Sequence, residues 1–431
     1  MTAVVGVVAG AVVGATADGR GPVTELLTRL PSGLTVAVEP MPSTRSVSIG
    51  VWVGVGARDE PHHLSGVSHV LEHLLFKGTD RRSAQDISRT VDRVGGDINA
   101  FTSKEYTAYY CRLPGRHLTD GVELLGDVVT APALRDDDLE SERQVILEEL
   151  AMDDDNPDDV VHRLFARQVF GRHPLGRDTA GERATVGAID GDDVRRFHAA
   201  HYRTANTVVA VAGAVDPDEV VRQVERAFAD LSEGDGRVGR TAPTGTDGDH
   251  TQPDDTEQVH LLVGGRAIPR VDPDREALDV VNHVLGGGLS SRLFDEIRER
   301  RGLAYSVFSG SAAYADAGAW SIYAGTLPEH ATTVRDLIAD QLDLLVRDGI
   351  TDDELEIAIG FLTGSYEMGL EDSGARMARL GGMLTTMGEI RPVEAQLARW
   401  NAVTHDDVRR VLDRVYAAAP LTVTVGPGYG R

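Results

Sequence analysis

The hydrophobic and polar positions of the N-terminal half predict short strands interspersed with amphipathic helices. Runs rich in β-branched residues and bounded by Pro or Gly predict strands at 34–39, 47–55, 98–102, 106–113 and 208–214. Apolar residues at helical spacing predict helices within 66–79 and at 84–94, 118–129, 137–152 and 217–231. Strands and helices mixed in this order are typical of an α+β fold.

A second set of elements repeats this pattern in the C-terminal half. It comprises strands at 259–263, 303–308, 320–325 and 421–425 and helices at 275–285, 293–301, 331–348 and 352–368. A shift of 214 residues sets Val67–Leu71 against Val281–Leu285, and both segments carry a His at the third position. The sequence therefore predicts two homologous modules, each a mainly antiparallel sheet packed with helices.

The segments between these patterns set the expected domain boundaries. We expect a disordered extension over 1–22, a catalytic module over 23–231 and a C-terminal module over 259–431. Residues 232–258, rich in Gly, Asp, Thr and Pro, predict a flexible linker between them. The apolar run at 3–15 has no basic residue before it, so we expect a cytoplasmic protein, with export as the alternative.

Composition excludes several classes of partner. The formal net charge of −25 argues against nucleic acid, because phosphate binding needs clustered Lys and Arg. No run approaches the ~20 apolar residues that span a bilayer, so we expect no membrane partner. The single cysteine, Cys111, excludes an intramolecular disulfide and is expected to be an inert buried thiol.

The candidate chemistry lies in an H-x-x-E-H arrangement formed by His69, Glu72 and His73. Histidines four residues apart stack on one face of a helix and can take two corners of a zinc tetrahedron. Glu72 lies on the same face and can act as a general base without binding the metal. The alternative is a solvated helix face, but the surrounding apolar residues favour burial. In the second half Gly286 and Gly287 replace Glu72 and His73, which argues against a role in folding alone.

A catalytic zinc needs a third protein ligand, and the predicted helix at 137–152 offers carboxylates. Glu142, Ile146 and Glu149 share one face of this helix, whereas Glu148 lies about 100° aside. We select Glu149 as the ligand and Glu142 as a supporting group. The pattern alone leaves open that this acidic face is simply solvated.

Five stretches together resemble the pitrilysin/insulinase family of inverted zincins, in particular the branch of the mitochondrial processing peptidase β-subunit and its prokaryotic relatives. They are 66–79, 95–110, 142–149, 173–176 and 286–306. The resemblance implies one Zn²⁺ per chain, held by His69, His73 and Glu149. It also implies that Glu72 is the general base and that Glu142 is the family's supporting acid.

The resemblance extends to substrate binding and assembly. It implies that Asn99, Ala100 and Phe101 lie on an edge strand that pairs with the substrate backbone. It implies that Arg298 and Tyr305 of the second half complete the site. Single-chain members carry four modules, so two modules imply a clamshell that forms a homodimer or pairs with a homologous chain.

The function expected from these features is that of a zinc-dependent endopeptidase acting on extended or unfolded peptides. One alternative is a noncatalytic structural or assembly subunit of the same fold, although such proteins typically lose the metal motif. Another alternative is a dedicated maturation peptidase acting on a single peptide.

Overall fold

The computed structural model describes residues 9–13 and 24–428 and divides into two compact units. The N-terminal unit comprises the described residues up to Leu150, together with Asp178–Gly239 and Met368–Glu394. The C-terminal unit comprises Ala151–Arg177, Arg240–Glu367 and the described residues from Ala395 onward. This interleaved division differs from the contiguous modules expected from the sequence.

A seven-stranded sheet forms the centre of the N-terminal unit. Its strands are β1 (Ala9–Val13), β2 (Thr24–Arg29), β3 (Thr35–Pro40), β4 (Ser46–Val53), β5 (Asp97–Thr102), β6 (Thr107–Pro114) and β7 (Thr207–Gly213). They lie in the order β1-β2-β3-β7-β4-β6-β5, so β5 is an edge strand. The β3–β7 pair is parallel and the other described pairs are antiparallel.

Fourteen α-helices occur in the described part of the chain. They are α1 (Val67–Leu75), α2 (Ala84–Asp92), α3 (Leu118–Thr130), α4 (Asp136–Asp154), α5 (Pro157–Phe170), α6 (Arg183–Ala188), α7 (Gly191–His201), α8 (Pro217–Ala227), α9 (Arg275–Asn282), α10 (Ala331–Asp348), α11 (Asp352–Gly369), α12 (Ser373–Met387), α13 (Val393–Asn401) and α14 (His405–Val411). Residues of α1, α3, α4, α7 and α8 share one hydrophobic core with the N-terminal sheet, whereas α12 packs in a separate cluster with β4 and β7.

The C-terminal unit has a five-stranded sheet of the same topology. Its strands are β8 (His250–Pro253), β9 (Val259–Ala267), β10 (Ala304–Ala313), β11 (Gly318–Thr326) and β12 (Leu421–Gly426), in the order β10-β11-β9-β12-β8. The β12–β8 pair is parallel and the others are antiparallel, which repeats β5-β6-β4-β7-β3 in order and sense. The two-module α+β prediction is confirmed, whereas the clamshell arrangement stays a prediction.

Two segments expected to lack regular structure contain strands. Ala9–Val13, within the extension predicted to be disordered, pairs with β2; residues 1–8 and 14–22 lie outside the described residues. The strand β8 lies within the predicted linker, where it pairs with β12 as β3 pairs with β7. Each segment pairs with a neighbouring strand, and local composition does not reveal such tertiary pairing.

The interleaving arises because two helices pack on the sheet of the other half of the sequence. Helix α5, from the N-terminal half, buries Phe165 and Val169 in one cluster with Leu262 of β9. Helix α12, from the C-terminal half, buries Met377 and Leu380 in one cluster with Trp52 of β4. Helices α4 and α11 begin 216 residues apart, as do α5 and α12, so the exchanged helices are counterparts in the repeat.

Two further expectations concern the thiol and the membrane. Cys111 is fully buried in the N-terminal core, so the prediction of a buried thiol is confirmed, and this burial raises the pKa of the thiol to about 12, as expected of an inert one. Among the described residues, no helix is long and apolar enough to cross a membrane.

Replacing Gly381 of α12 with Ala should destabilise the N-terminal unit. A Cβ at Gly381 would lie 2.2 Å from the Trp52 ring, which is 2% exposed and has little room to shift. Overpacking of this kind costs about 1–3 kcal/mol of unfolding free energy. The matched control is Gly382→Ala, where a Cβ meets nothing within 4 Å and a gain of roughly 0.5–1 kcal/mol is expected. Denaturant unfolding would contradict the packing account if both variants were stabilised equally.

Candidate metal centre

The helix α1 is held in place by its apolar face. Val70, Leu71 and Leu74 are at most 1% exposed in the N-terminal core. The opposite face carries the H-x-x-E-H residues, all of intermediate exposure. The alternative of a fully solvated helix face is therefore not what the structure has.

The N-terminus of α1 is fixed by a buried carboxylate that the sequence analysis missed. Glu60, 4% exposed, accepts hydrogen bonds from the backbone N–H groups of Gly66 and Ser68, each 2.8 Å long. A carboxylate at this position satisfies unpaired helical donors and complements the helix dipole. Gly66 has φ +99°, and a Cβ there would lie 2.6 Å from the Ala180 carbonyl oxygen, so the turn requires glycine.

Three possible ligands converge where α1 meets α4. His69 Nε2 and His73 Nε2 are 3.3 Å apart, and Glu149 Oε2 lies 3.8 Å from the former and 3.6 Å from the latter. Ligands about 2.0–2.1 Å from a tetrahedral zinc are roughly 3.3 Å from one another. Among the described residues, these three form the one His, Cys, Asp or Glu group able to hold a metal. The donor set and its spacing fit zinc.

The protonation of His69 suits metal binding. Burial, with a smaller contribution from neighbouring His73, lowers the pKa of His69 to about 4. The imidazole is therefore neutral at pH 7, the form that binds a metal. Two imidazole nitrogens and a carboxylate oxygen facing each other this closely favour a cation between them.

Glu142 supports His73 from behind. Its Oε2 accepts a 3.0 Å hydrogen bond from His73 Nδ1, once Nε2 is assigned to face the other ligands. Lys77 Nζ lies 2.5 Å from the other oxygen of Glu142, and the Glu142 side chain is buried. This bond fixes the tautomer of His73, the usual role of a carboxylate behind a metal-binding histidine. The sequence predicted Glu142 in this place but not Lys77.

Glu72 is held by a residue of β5 that sequence reasoning also missed. Thr102 Oγ1 donates a 2.5 Å hydrogen bond to Glu72 Oε2. Burial raises the pKa of Glu72, and the bond from Thr102 acts in the opposite direction. The bond orients the carboxyl group and leaves Oε1 as the oxygen to exchange a proton. The sequence contains one signal for Thr102. Side chains alternate between the two faces of a strand, so Thr102 lies on the same face of β5 as Ala100.

The predicted substrate-binding residues lie on the two faces of edge strand β5. Ala100 is partly buried and packs against the core that contains α1. Asn99 and Phe101 are exposed, and the Phe101 ring contacts Tyr106 and Tyr110. Successive residues of a strand turn to opposite faces, so the side chains of Asn99 and Phe101 are directed away from the face that carries Thr102. The three side chains therefore do not face one ligand together. That the main chain of these residues pairs with a substrate stays a prediction.

Arg298 and Tyr305 lie together in the C-terminal unit. Arg298 Nη1 donates a 2.8 Å hydrogen bond to the Tyr305 carbonyl oxygen, and its guanidinium stands 4.6 Å from the centre of the Tyr305 ring. Tyr305 is 80% exposed, so its hydroxyl is available to a ligand. Their part in a reaction stays a prediction.

The C-terminal counterpart of the site lacks most of the candidate ligands. His283, the equivalent of His69, is buried and stacks on Phe361 at 4.2 Å. With the offset of 216 residues that relates α4 to α11, Ala358 and Ser365 occupy the positions of Glu142 and Glu149. The repeat thus keeps the fold without the chemistry.

Two family models match the chain in succession. The model described as insulinase, peptidase family M16, matches residues 35–183, which include every candidate metal ligand. The model described as the peptidase M16 inactive domain matches residues 188–362, the region of the degenerate copy.

Relatives and solved structures agree with these matches. A protein of Streptomyces coelicolor described as an uncharacterized zinc protease is 44% identical, over 93% of this chain and 89% of its own length. One of Bacillus subtilis with the same description is 36% identical, over 90% and 96%. The crystal structure of a protease from Helicobacter pylori has a TM-score of 0.86 at 25% identity, covering 93% of this chain and 99% of that one. A peptidase M16 inactive domain from Pseudomonas fluorescens shares the fold, with a TM-score of 0.89 at 21% identity and coverage of 94% and 98%.

Replacing Glu149 with Ala should abolish stoichiometric zinc binding without unfolding the protein. The change removes one of three ligands, so we expect a greater loss than the roughly 10- to 100-fold typical of groups behind the ligands. The control is Glu148→Ala, which removes an exposed neighbouring carboxylate on the same helix. Isothermal titration with Zn²⁺ gives both values, and equal zinc affinity in the two variants would exclude Glu149 as a ligand.

Replacing Glu142 with Gln should weaken zinc binding by about 10- to 100-fold, because the charge behind His73 is lost while the side-chain shape is kept. Glu148→Gln, the same change at an exposed position, should leave the Kd for zinc unchanged. Competition with a chromogenic chelator measures both affinities. An unchanged Kd in the Glu142 variant would contradict its supporting role.

Proposed function

Because the chain belongs to peptidase family M16, we propose that it is a zinc-dependent endopeptidase that hydrolyses peptide bonds in extended or unfolded peptides. The observation that carries the proposal is the convergence of His69, His73 and Glu149 beside a separately held Glu72. The names of the relatives, described as zinc proteases, support zinc as the metal. The single complete candidate ligand set in the described residues supports one zinc per chain.

Zinc bound by these three residues would supply a polarised water and a Lewis acid at the scissile carbonyl. Glu72 then acts as the general base. Its Oε1 takes a proton from the attacking water while Thr102 holds Oε2. Burial raises the pKa of the Glu72 carboxyl toward neutral pH, and a pKa shifted in this direction favours both accepting and returning a proton. The same group delivers that proton to the nitrogen of the leaving amine.

The edge strand β5 supports a preference for extended substrates. Its free edge can pair with the main chain of a peptide, which gives affinity with little dependence on side chains. A folded protein presents few unpaired main-chain groups and would not add a strand here. We extend the proposal to Arg298 and Tyr305 as groups that contact the substrate, and to assembly as a homodimer or with a homologous chain.

The alternative of a noncatalytic structural subunit is disfavoured by the repeat itself. The C-terminal copy keeps the strand order of the N-terminal copy while Gly286 and Gly287 replace Glu72 and His73. Since the fold tolerates that loss, complete retention in the N-terminal copy requires another reason, which catalysis supplies.

Replacing Glu72 with Gln should remove at least about 100-fold of the peptidase activity, the lower end of what a general base contributes, while zinc binding is kept. The measurement is cleavage of an unstructured 20- to 30-residue peptide by zinc-loaded protein, followed by mass spectrometry. Glu148→Gln is the control and should cleave like the wild type.

Equal cleavage rates in the wild type and the Glu72 variant would exclude Glu72 as the general base. If neither cleaves the peptide although both hold zinc, the structural-subunit alternative gains instead.

A further inference from the structure

The free edge of β5 is the surface on which a peptide strand would pair. In an antiparallel pair, alternate residues turn both N–H and C=O toward the partner strand, and those between turn them outward. Since β5 pairs with β6 on one side and ends the described sheet, every second residue turns its N–H and C=O groups away from β6. These outward groups are the ones that an incoming strand requires.

One of these outward donors is already occupied within the chain. The Ala100 N–H donates a 2.8 Å hydrogen bond to Oδ1 of its neighbour Asn99. Because this amide bonds a side chain, it is directed to the free edge and not to Tyr109, which faces Ala100 across the β5–β6 pair. The Asn99 side chain is exposed, so the bond lies where an added strand would lie.

The occupied donor is close to the catalytic groups. Thr102, which holds Glu72, follows Ala100 by two residues on the same face of β5. Two residues of an extended strand span about 7 Å. A peptide paired with the Ala100 N–H therefore passes beside the carboxyl group that is proposed to act as the base.

We propose that the Asn99 carboxamide is a built-in competitor that caps the substrate-pairing edge of β5 and must leave the Ala100 N–H before a peptide can pair there. The inference rests on the proposed function and adds a gate to its substrate edge. The cap predicts that the Asn99 side chain weakens peptide binding, whereas a direct contact with the substrate would strengthen it. In the free protein the same cap blunts an edge that could otherwise pair with other chains.

The size of the effect follows from a competition between two states. A peptide that needs the open state has an apparent Kd raised by the inverse of the open fraction. A neutral hydrogen bond of ordinary net strength shifts such an equilibrium by roughly 2- to 10-fold. Removing the cap should therefore tighten peptide binding by a similar factor.

Two substitutions at one position separate the acceptor from the rest of the side chain. Asn99→Ala deletes the acceptor, whereas Asn99→Asp keeps an oxygen in the same place. Both are made in the zinc-loaded Glu72→Gln background, so that a 20- to 30-residue unstructured peptide binds without being cleaved. The first readout is hydrogen exchange of the Ala100 amide without peptide, and the second is the Kd of the peptide by fluorescence anisotropy.

We expect Ala100 to exchange faster, and the peptide to bind about 2- to 10-fold tighter, in Asn99→Ala but not in Asn99→Asp. Unchanged exchange in Asn99→Ala would overturn the cap, and weaker peptide binding would show Asn99 to be a substrate contact instead. If the wild type cleaves peptides and Asn99→Ala binds no tighter, the gate is wrong while the peptidase stands. If the wild type neither binds nor cleaves peptides, both proposals fall.

Discussion

The burial of one face of α1 is the interaction on which the site depends. Val70, Leu71 and Leu74 anchor the helix in the N-terminal core, so its opposite face has a fixed direction. Glu60 fixes the helix start by accepting two backbone hydrogen bonds at 2.8 Å. Because His69 and His73 both lie on α1, their spacing is set by helix geometry and not by flexible segments of the chain.

A second constraint is electrostatic. His69 is kept neutral by burial, and Glu149 brings a carboxylate to within 3.8 Å of it. Glu142, itself buried and paired with the partly exposed Lys77, accepts a hydrogen bond from His73 and holds the imidazole in one tautomer. The groups around the proposed metal are thus held in place by neighbouring residues of the chain, and such support favours metal binding. Glu72 is oriented in the same way, by its hydrogen bond from Thr102.

Much of this could be predicted from the sequence, and the remainder could not, for identifiable reasons. The spacing of His69 and His73 and the strand predicted at 98–102 are local features, so the sequence was sufficient to place them, whereas the edge position of that strand came from the family resemblance. The helical pattern selected Glu149 as the third ligand but left open a solvated acidic face, and the family resemblance was needed to imply that Glu149 binds the metal. Alternation along β5 places Thr102 on the same face as Ala100. Its bond to Glu72, like that of Lys77 to Glu142, joins residues distant in sequence, and no local pattern encodes such a bond. The exchange of α5 and α12 was missed for the same reason, because an amphipathic pattern shows that one face of a helix is buried but not which sheet it packs against.

The most direct test of this account is a crystal structure of the zinc-loaded Glu72→Gln variant with an unstructured peptide, with anomalous data collected at the zinc absorption edge. The account predicts one zinc peak per chain, about 2.0–2.1 Å from His69 Nε2, His73 Nε2 and a Glu149 oxygen. It also predicts peptide main chain added as a strand along β5. A zinc peak away from these three residues, or a peptide bound elsewhere, would contradict it.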